Sequence, residues 1–174
     1  MVESKRNREW DTLAKRTYRI VHESYLAEWL AMNFPPGTWR TNVRLGKVIP
    51  PGRKKLLAPE ERLLLYAFGA SADAIVLLPD KVIIVEAMVR HEPGALEDLL
   101  KYKELFKMTE EFREHWHKPI ELILLTPLDV PFYEKFAQKF GVKVVKYKPM
   151  WIIEYLHTYA RRFWRGKLSS IKPP

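Results

Sequence analysis

Apolar and polar positions along this chain follow two different periods, and the change of period outlines the secondary structure. Over residues 7–33 the apolar positions recur at helical spacing, and Pro35 and Pro36 end that helix because proline cannot continue it. Later runs are short and rich in β-branched residues, which predicts strands. The predicted strands cover 39–45, 72–78, 81–88, 119–126 and 142–147, and the other predicted helices cover 59–68, 95–107, 131–140 and 149–165, with a further helical segment beginning at Thr109.

This order of elements predicts an α/β fold with a mixed central sheet, helices on both faces and a hairpin at its centre. The chain has 174 residues, a length that suits one domain with a real core. No internal repeat or linker divides the chain. We therefore expect a single domain over residues 1–165, followed by a flexible tail over residues 166–174.

Two carboxylates stand out in the predicted central hairpin, which runs through Pro79 and Asp80. If those two residues form the loop, Asp73 lies directly opposite Glu86. Residues directly opposite each other share a face of the sheet, so two acids would meet in an otherwise apolar surface. Like charges at such a distance repel, and their burial is costly unless a cation lies between them.

A divalent metal ion is the natural cation here, because oxygen ligands suit Mg²⁺ and Mn²⁺. A second interpretation gives the two acids ordinary structural roles. In that case Asp73 caps the start of its strand, and Glu86 pairs with a nearby lysine or arginine.

The composition narrows the class of protein. Apolar residues make up 47% of the chain, which is too many for a disordered protein, and the absence of cysteine excludes disulfides and thiolate metal sites. No apolar run is long enough for a membrane span, and the charged N-terminus lacks a signal peptide, so we expect a cytoplasmic protein that does not bind membranes. The formal net charge of +9 favours a polyanionic partner, although solubility alone also accounts for such a charge.

Two basic segments are candidates for nucleic-acid contacts. One is the loop rich in proline and glycine that follows the first strand, and the other is the end of the last helix, where cations alternate with aromatic residues. Cations track phosphates and aromatic rings stack on bases, whereas in the plainer interpretation the loop is solvated and the aromatic residues pack on the core. The candidate residues are Lys47, Arg53, Lys54, Lys55, Arg161, Arg162 and Arg165.

With these elements and acids, the chain resembles the PD-(D/E)XK nuclease superfamily, and within it the Cas4-like and RecB-like branch. The resemblance covers about two thirds of the chain. It implies a restriction-endonuclease-like fold with an αβββαβ core, in which Asp73 starts the second core strand and Glu86 lies on the third. It also implies that Asp73, Glu86 and the Ala87 carbonyl hold Mg²⁺ or Mn²⁺.

The same resemblance assigns roles to residues on two helices. On the first helix it implies a glutamate that assists the metal, for which Glu23 is the best match, whereas Glu28 is interpreted as a solvated charge. On the helix after the third strand, Asp98 and Tyr102 have the spacing of a Gln-x-x-x-Tyr pattern, with aspartate in place of glutamine.

One position departs from the family pattern: the lysine expected two residues after Glu86 is Met88. A thioether can neither activate water nor stabilise developing charge. Three explanations stay open. Another cation replaces the lysine, with Lys101, Lys103 or Arg90 as candidates; the protein binds nucleic acid without cutting it; or Met88 is an introduced, inactivating substitution.

The function expected from the resemblance is metal-dependent hydrolysis of DNA phosphodiester bonds, on single-stranded or double-stranded DNA. The alternative is a catalytically inactive nucleic-acid-binding or assembly module with the same fold. A third possibility, an interaction protein whose family likeness is chance, requires a hairpin register that separates Asp73 from Glu86. A homodimer is an expectation by analogy with the family.

Overall fold

The computed structural model of the chain describes residues 2–46 and 70–169, and the side chains of residues 16–46 and 70–159. In chain order the elements are α1 (Val2–Asn33), β1 (Trp39–Leu45), β2 (Ala70–Leu77), β3 (Val82–Ala87), α2 (Ala95–Phe106), a 3-10 helix (Glu110–His115), β4 (Ile120–Thr126), α3 (Pro131–Lys139), β5 (Val142–Lys146) and α4 (Met150–Ser169).

The five strands form one sheet in the order β1-β2-β3-β4-β5. β1, β2 and β3 pair antiparallel, whereas β3, β4 and β5 pair parallel, so the sheet is mixed. The parallel crossovers run through α2 and α3, as parallel strands require. The predicted α/β fold with a mixed, helix-flanked sheet and an αβββαβ element order is confirmed.

The hairpin of β2 and β3 has the predicted register. Leu77 lies opposite Val82 and Ile75 lies opposite Ile84. Leu78 donates a backbone hydrogen bond to Lys81 across the turn at 2.9 Å, which leaves Pro79 and Asp80 as the two-residue loop. The register set at the turn continues to the pair of Ala74 and Val85, and Asp73 and Glu86 follow this pair at the other end of the hairpin.

Each face of the sheet has its own core layer. One layer lies under α2 and contains Ile84, Met88 and Leu99, together with Ala137 of α3. The other lies under α1 and contains Tyr25, Trp29 and Val85, together with residues of α4. β3 contributes its alternate side chains to both layers, which explains why its sequence is a continuous apolar run. The one polar side chain within β3, that of Glu86, therefore lies in the layer under α2.

The ladder between β1 and β2 is interrupted once, at Asn42. Pairs form on either side of it, from Thr41 to Ala74 and from Val43 to Ala72. Asn42 has φ of 52°, in the left-handed region, which asparagine tolerates better than most residues. Across this point the apolar side chains change layers, since Val43 packs under α2 whereas Trp39 packs under α1. The position in β2 that faces the interruption is Asp73.

Several local predictions are corrected. The helical segment predicted after Thr109 is a 3-10 helix. Thr109 precedes it but makes no side-chain cap; its hydroxyl instead donates to the Leu105 carbonyl and accepts from the Gly46 amide. The last helix continues to Ser169, past the predicted end. The predicted helix over 59–68 lies outside the described residues.

Glu28 is also not a solvated charge. It accepts hydrogen bonds from the Tyr147 hydroxyl and from Trp151 Nε1, the latter at 2.8 Å. These bonds tie α1 to the end of β5 and the start of α4. Within residues 2–46 and 70–169, no helix is both long enough and apolar enough to cross a membrane.

Candidate functional site

The open end of the hairpin, opposite its turn, brings Asp73 close to the end of β3. Asp73 Oδ2 accepts a hydrogen bond from the Ala87 amide at 2.8 Å. The last paired residues of the hairpin are Ala74 and Val85, and Asp73 and Glu86 are the residues that follow them on the two strands. The charge of Asp73 is among the causes that raise the pKa of Glu86, so the two acids lie close enough to interact.

Glu86 is an acid in an unfavourable environment. Burial first, and then the negative charges of Asp73 and Asp98, raise its pKa to about 9. Its Oε2 atom is buried and has no hydrogen-bond partner among the described residues. A buried carboxylate oxygen without a partner is costly, and such groups occur where a ligand or ion completes the site.

His22 of α1 reaches the same place and was not predicted. Its Nε2 atom lies 2.8 Å from the Ala87 carbonyl oxygen and 3.2 Å from Asp73 Oδ2. Burial alone would lower the pKa of His22, but the hydrogen bond and charge of Asp73, with the Ala87 carbonyl, outweigh it and raise the pKa to about 9. The imidazole Nε2–H is therefore a donor to both oxygens.

The helical pattern contained the signal for His22. Tyr18, His22, Tyr25 and Trp29 recur at spacings of three and four residues, which places them on one face of α1. Tyr25 and Trp29 are buried under the sheet, so His22 is a polar residue within the inward stripe. A polar side chain on such a stripe is a stronger candidate for the functional site than a polar side chain beside the stripe.

Glu23, the predicted residue on this helix, lies beside the stripe. Its carboxylate forms an ion pair with Arg19 one turn earlier, at 2.8 Å, and its side chain is 44% exposed. The helix turns about 100° per residue, so Glu23 cannot share the direction of its neighbour His22. The structure places Glu23 away from the two acids.

Asp98 and Tyr102 lie on α2, one turn apart, and both face the acids. Asp98 contributes to the raised pKa of Glu86. The pKa of Tyr102 is raised by burial, then by the charges of Glu86, Asp98 and Asp73, and by a hydrogen bond with Glu86. The predicted pair therefore joins the site as a third and a fourth polar group.

Met88 takes no part in this polar cluster through its side chain, which is fully buried in the layer under α2. Its backbone is fixed on both sides: the amide donates to the Leu125 carbonyl and the carbonyl accepts from Thr126 Oγ1, each at 2.8 Å. A lysine substituted at this position would have a fixed backbone, and its side chain would begin in the buried core.

The three candidate replacement cations differ in position. Lys101 Nζ lies 3.8 Å from Asp98 Oδ1, at the edge of the site. Arg90 is engaged elsewhere, with its guanidinium 3.3 Å from the centre of the Tyr18 ring and 4.8 Å from that of Tyr159. Lys103 forms no ion pair with any acid among the described residues. Among the described side chains at this end of the hairpin, His22 is the cationic group that contacts Asp73 directly.

The predicted basic segments lie outside what the structure describes. Residues 47–69 are not described, and neither are the side chains beyond residue 159. The placement of Lys47, Arg53, Lys54, Lys55, Arg161, Arg162 and Arg165 therefore stays a prediction.

The donors at the open end fit a hard divalent cation that keeps water ligands. Two carboxylates and the Ala87 carbonyl supply oxygen atoms, and Glu86 Oε2 lacks a partner. Among the described side chains, no three or more His, Asp or Glu groups lie close enough together to hold a metal ion. Mg²⁺ is usually held by one or two carboxylates and several waters, so an incomplete cage is compatible with it.

Comparisons with known proteins give little beyond this geometry. No protein-family model matches the chain, and no curated protein matches it. Among solved structures, the crystal structure of a repair endonuclease from Pyrococcus abyssi is similar over 73% of this chain, with 16% sequence identity and a TM-score of 0.42. The chain spans 47% of the length of that protein. A likeness of this degree carries no argument about function.

Proposed function

We propose that this protein is a metal-dependent nuclease that hydrolyses DNA phosphodiester bonds at the open end of the β2–β3 hairpin. The observation that carries the proposal is the unpartnered, buried Oε2 of Glu86 beside Asp73. Two opposed acids in an apolar sheet destabilise the fold, and a bound cation would remove that penalty. The excess of basic residues over the whole chain is compatible with a polyanionic substrate.

The residues that would hold the cation are Asp73, Glu86 and the carbonyl of Ala87. Mg²⁺ or Mn²⁺ bound there would polarise a phosphoryl oxygen and acidify a bound water. The chain itself prepares the oxygen donors. The Ala87 amide orients Asp73, and His22 contacts both the Asp73 carboxylate and the Ala87 carbonyl. His22 is therefore a positioning residue in this proposal.

In this proposal Lys101 contacts substrate beside the acids, and Tyr102, which is buried, supports Glu86. Tyr102 hydrogen-bonds with Glu86, and Lys101 is half-exposed and lies near Asp98. A phosphate that approaches Glu86 from solvent would meet the exposed ammonium of Lys101 on the way. Lys101 is thus the described lysine best placed to supply the charge that Met88 lacks.

Metal binding can be tested separately from catalysis. The thermal midpoint of the protein would be measured in EDTA and with added Mg²⁺ or Mn²⁺, for the original sequence and for Glu86→Gln. We expect the divalent ions to raise the midpoint of the original protein, because a ligand that binds only the folded state stabilises it. Glu86→Gln keeps the shape of the side chain and should lose most of that rise. An equal rise in both proteins would contradict the proposed ligand.

Catalysis would be tested on labelled single-stranded and double-stranded DNA. Cleavage that EDTA abolishes, and that Lys101→Met reduces, supports a relocated cation. Cleavage that appears only in Met88→Lys, and not in the matched Met88→Leu, supports a site that lacks one group. Absence of cleavage in every variant, with or without metal, would contradict the nuclease proposal.

The full burial of Met88 favours a second candidate function, a nucleic-acid-binding module that does not cut. A thioether packed in the core contributes to stability and to nothing at the reacting centre. Binding of DNA by the original protein and by Met88→Lys, without cleavage by either, is the result that this candidate expects.

A further inference from the structure

The exposed face of α3 carries a row of three phenylalanines. Phe132, Phe136 and Phe140 follow one another at intervals of four residues, and their side chains are 79%, 40% and 47% exposed. The rings of Phe132 and Phe136 are nearly parallel, at 7° with centres 6.4 Å apart, and those of Phe136 and Phe140 are 4.9 Å apart. We call these three residues the phenylalanine row. Apolar rings aligned in this way on a surface are typical of a binding site.

Two lysines border the phenylalanine row. Lys135 and Lys139 each follow a phenylalanine of the row by three residues, which places them alongside it on the helix surface. Both are exposed, and neither forms an ion pair with an acid in the described part of the chain. The acid of this helix, Glu134, is instead paired with Lys146 of β5 at 2.7 Å. The row is therefore apolar and bordered by positive charge.

The phenylalanine row continues from the candidate site. α3 begins just after β4, which runs parallel to β3, so the start of α3 lies near the end of β3. Tyr133, next to the first phenylalanine, packs against the core layer that contains Met88. Its ring also contacts that of His91, with centres 5.7 Å apart. The contact between His91 and Tyr133 therefore joins the segment after β3 to the start of α3, where the row begins.

We propose that the phenylalanine row is a docking track for single-stranded nucleic acid, which leads a strand to or from the open end of the hairpin. Successive bases stack on exposed rings while cations follow the phosphates. The charge of the face favours this ligand over a second copy of the chain, because two lysine-bordered faces would repel each other. The proposal rests on the proposed function only in that both require nucleic acid to reach this side of the sheet.

The test is binding of a fluorescent single strand of about 12 nucleotides, in EDTA so that it stays intact. Stacking on one ring corresponds to about a tenfold change in affinity, so Phe132→Ala/Phe136→Ala should weaken binding between about tenfold and a hundredfold. Phe132→Tyr/Phe136→Tyr keeps the rings and should bind normally. Met150→Ala removes an apolar side chain that is 73% exposed on α4, and serves as the matched control with unchanged binding.

Two further measurements separate the forces. Lys135→Gln/Lys139→Gln should make the salt dependence of binding shallower by about 1.4, the value for two phosphates on a single strand. Binding of a duplex of the same length should respond much less to loss of the rings, since its bases are already stacked. Unchanged single-strand affinity in the double alanine variant, or an equal loss for the duplex, would overturn the proposal.

The outcome is distinguishable from that of the nuclease proposal. If the ring variants lose single-strand binding while no variant ever cleaves, the docking track stands and the nuclease proposal fails. If Glu86→Gln abolishes cleavage while the ring variants bind normally, the reverse holds. One further outcome would overturn the proposal and assign the row to a dimer. In that outcome the original protein sediments with twice the mass of the monomer, and Phe132→Ala/Phe136→Ala restores the monomer mass without changing DNA binding.

Discussion

The two ends of the central hairpin are built from the same two strands, but they differ in their polar groups. Those at the turn have partners, whereas a buried acid at the open end has an oxygen without one. At the turn, Lys81 pairs with Glu121 at 2.7 Å, and Lys118 donates to the Leu78 carbonyl at 2.8 Å. At the open end, Glu86 is buried with an unpartnered oxygen and a pKa raised to about 9. The turn end satisfies its charges, whereas the open end concentrates acids in a buried place.

This difference shows which end stability alone explains. The ion pair at the turn is partly exposed and joins the hairpin to β4 at little cost. The acids at the open end oppose folding, and a sheet would be more stable with apolar residues in their place. Places where a fold keeps such a penalty are candidates for function. Substitutions at each end of the hairpin test this difference.

The largest expected effect is on DNA cleavage. Glu86→Gln should lower the cleavage rate at least about a hundredfold, because a cation that supplies several kcal/mol to the transition state loses a ligand. The same change should leave the thermal midpoint equal or higher, since an amide is less costly to bury than a carboxylate. Glu121→Gln, at the turn, is the matched control and should cleave normally. Equal losses in both variants would place the acids of the open end among structural residues.

The next effect is a dependence of stability on pH, measured by denaturant unfolding in EDTA. Burial and the neighbouring acids raise the pKa of Glu86 from 4.5 to about 9, and Asp73 with the Ala87 carbonyl raises that of His22 from 6.5 to about 9 in spite of burial. The folded state then binds more protons than the unfolded chain between these values. Stability should therefore fall as pH rises from about 4.5 to 9.

Glu86→Gln should flatten the lower part of this fall, between about pH 4.5 and 6.5, because His22 has no part in it. The Glu121→Gln protein should keep the original profile. Stability that rises with pH over this window would show that the acids of the open end are stabilised as anions in the metal-free protein.

A smaller effect is expected from the backbone opposite Asp73. Asn42 is in the left-handed region with φ of 52°, so Asn42→Val should cost about 1–3 kcal/mol in the free energy of unfolding. Asn42→Gly adopts the same conformation without strain and should change the free energy of unfolding by less than about 1 kcal/mol. Equal stability of the valine and glycine variants would mean that the left-handed conformation of Asn42 does not account for the interruption of the ladder.

The smallest effect belongs to the turn. Lys81→Met removes a partly exposed ion pair with Glu121 and should cost at most about 1 kcal/mol. Chemical denaturation at low and at high salt would measure it, and the difference from the original protein should shrink as salt screens the pair. A loss of several kcal/mol, unaffected by salt, would mean that Lys81 contributes through packing.

Much of the fold was predictable because its signals are local. The β-branched runs of β3 and β4 allow few structures other than buried strands, and the Pro79–Asp80 loop sets the register from the pair of Leu77 and Val82 to that of Ala74 and Val85. The segment after Thr109 is helical as predicted, but as a 3-10 helix without the predicted cap. The Thr109 hydroxyl accepts a hydrogen bond from Gly46, a residue distant in the sequence, so a tertiary contact takes the place of a local cap.

The candidate site was only partly predictable. The two acids come from adjacent strands, whereas His22 comes from a helix whose rotation about its own axis decides which side chain reaches Ala87. The family pattern predicts a glutamate there and points to Glu23, whereas the inward stripe of the helix passes through His22. The partners of Glu28 are 119 and 123 residues away, and nothing local to Glu28 indicates them.

The pairing of Leu45 with Ala70 indicates how the chain can be shortened. The chain leaves the sheet after β1 and returns to it at the directly opposed residue, so residues 47–69 span two points that already adjoin. Topologically, that segment is an insertion in a hairpin, and a short turn can replace it while the sheet keeps its order. Such a graft would yield a shorter chain that keeps the described sheet and lacks four of the candidate DNA contacts, Lys47, Arg53, Lys54 and Lys55.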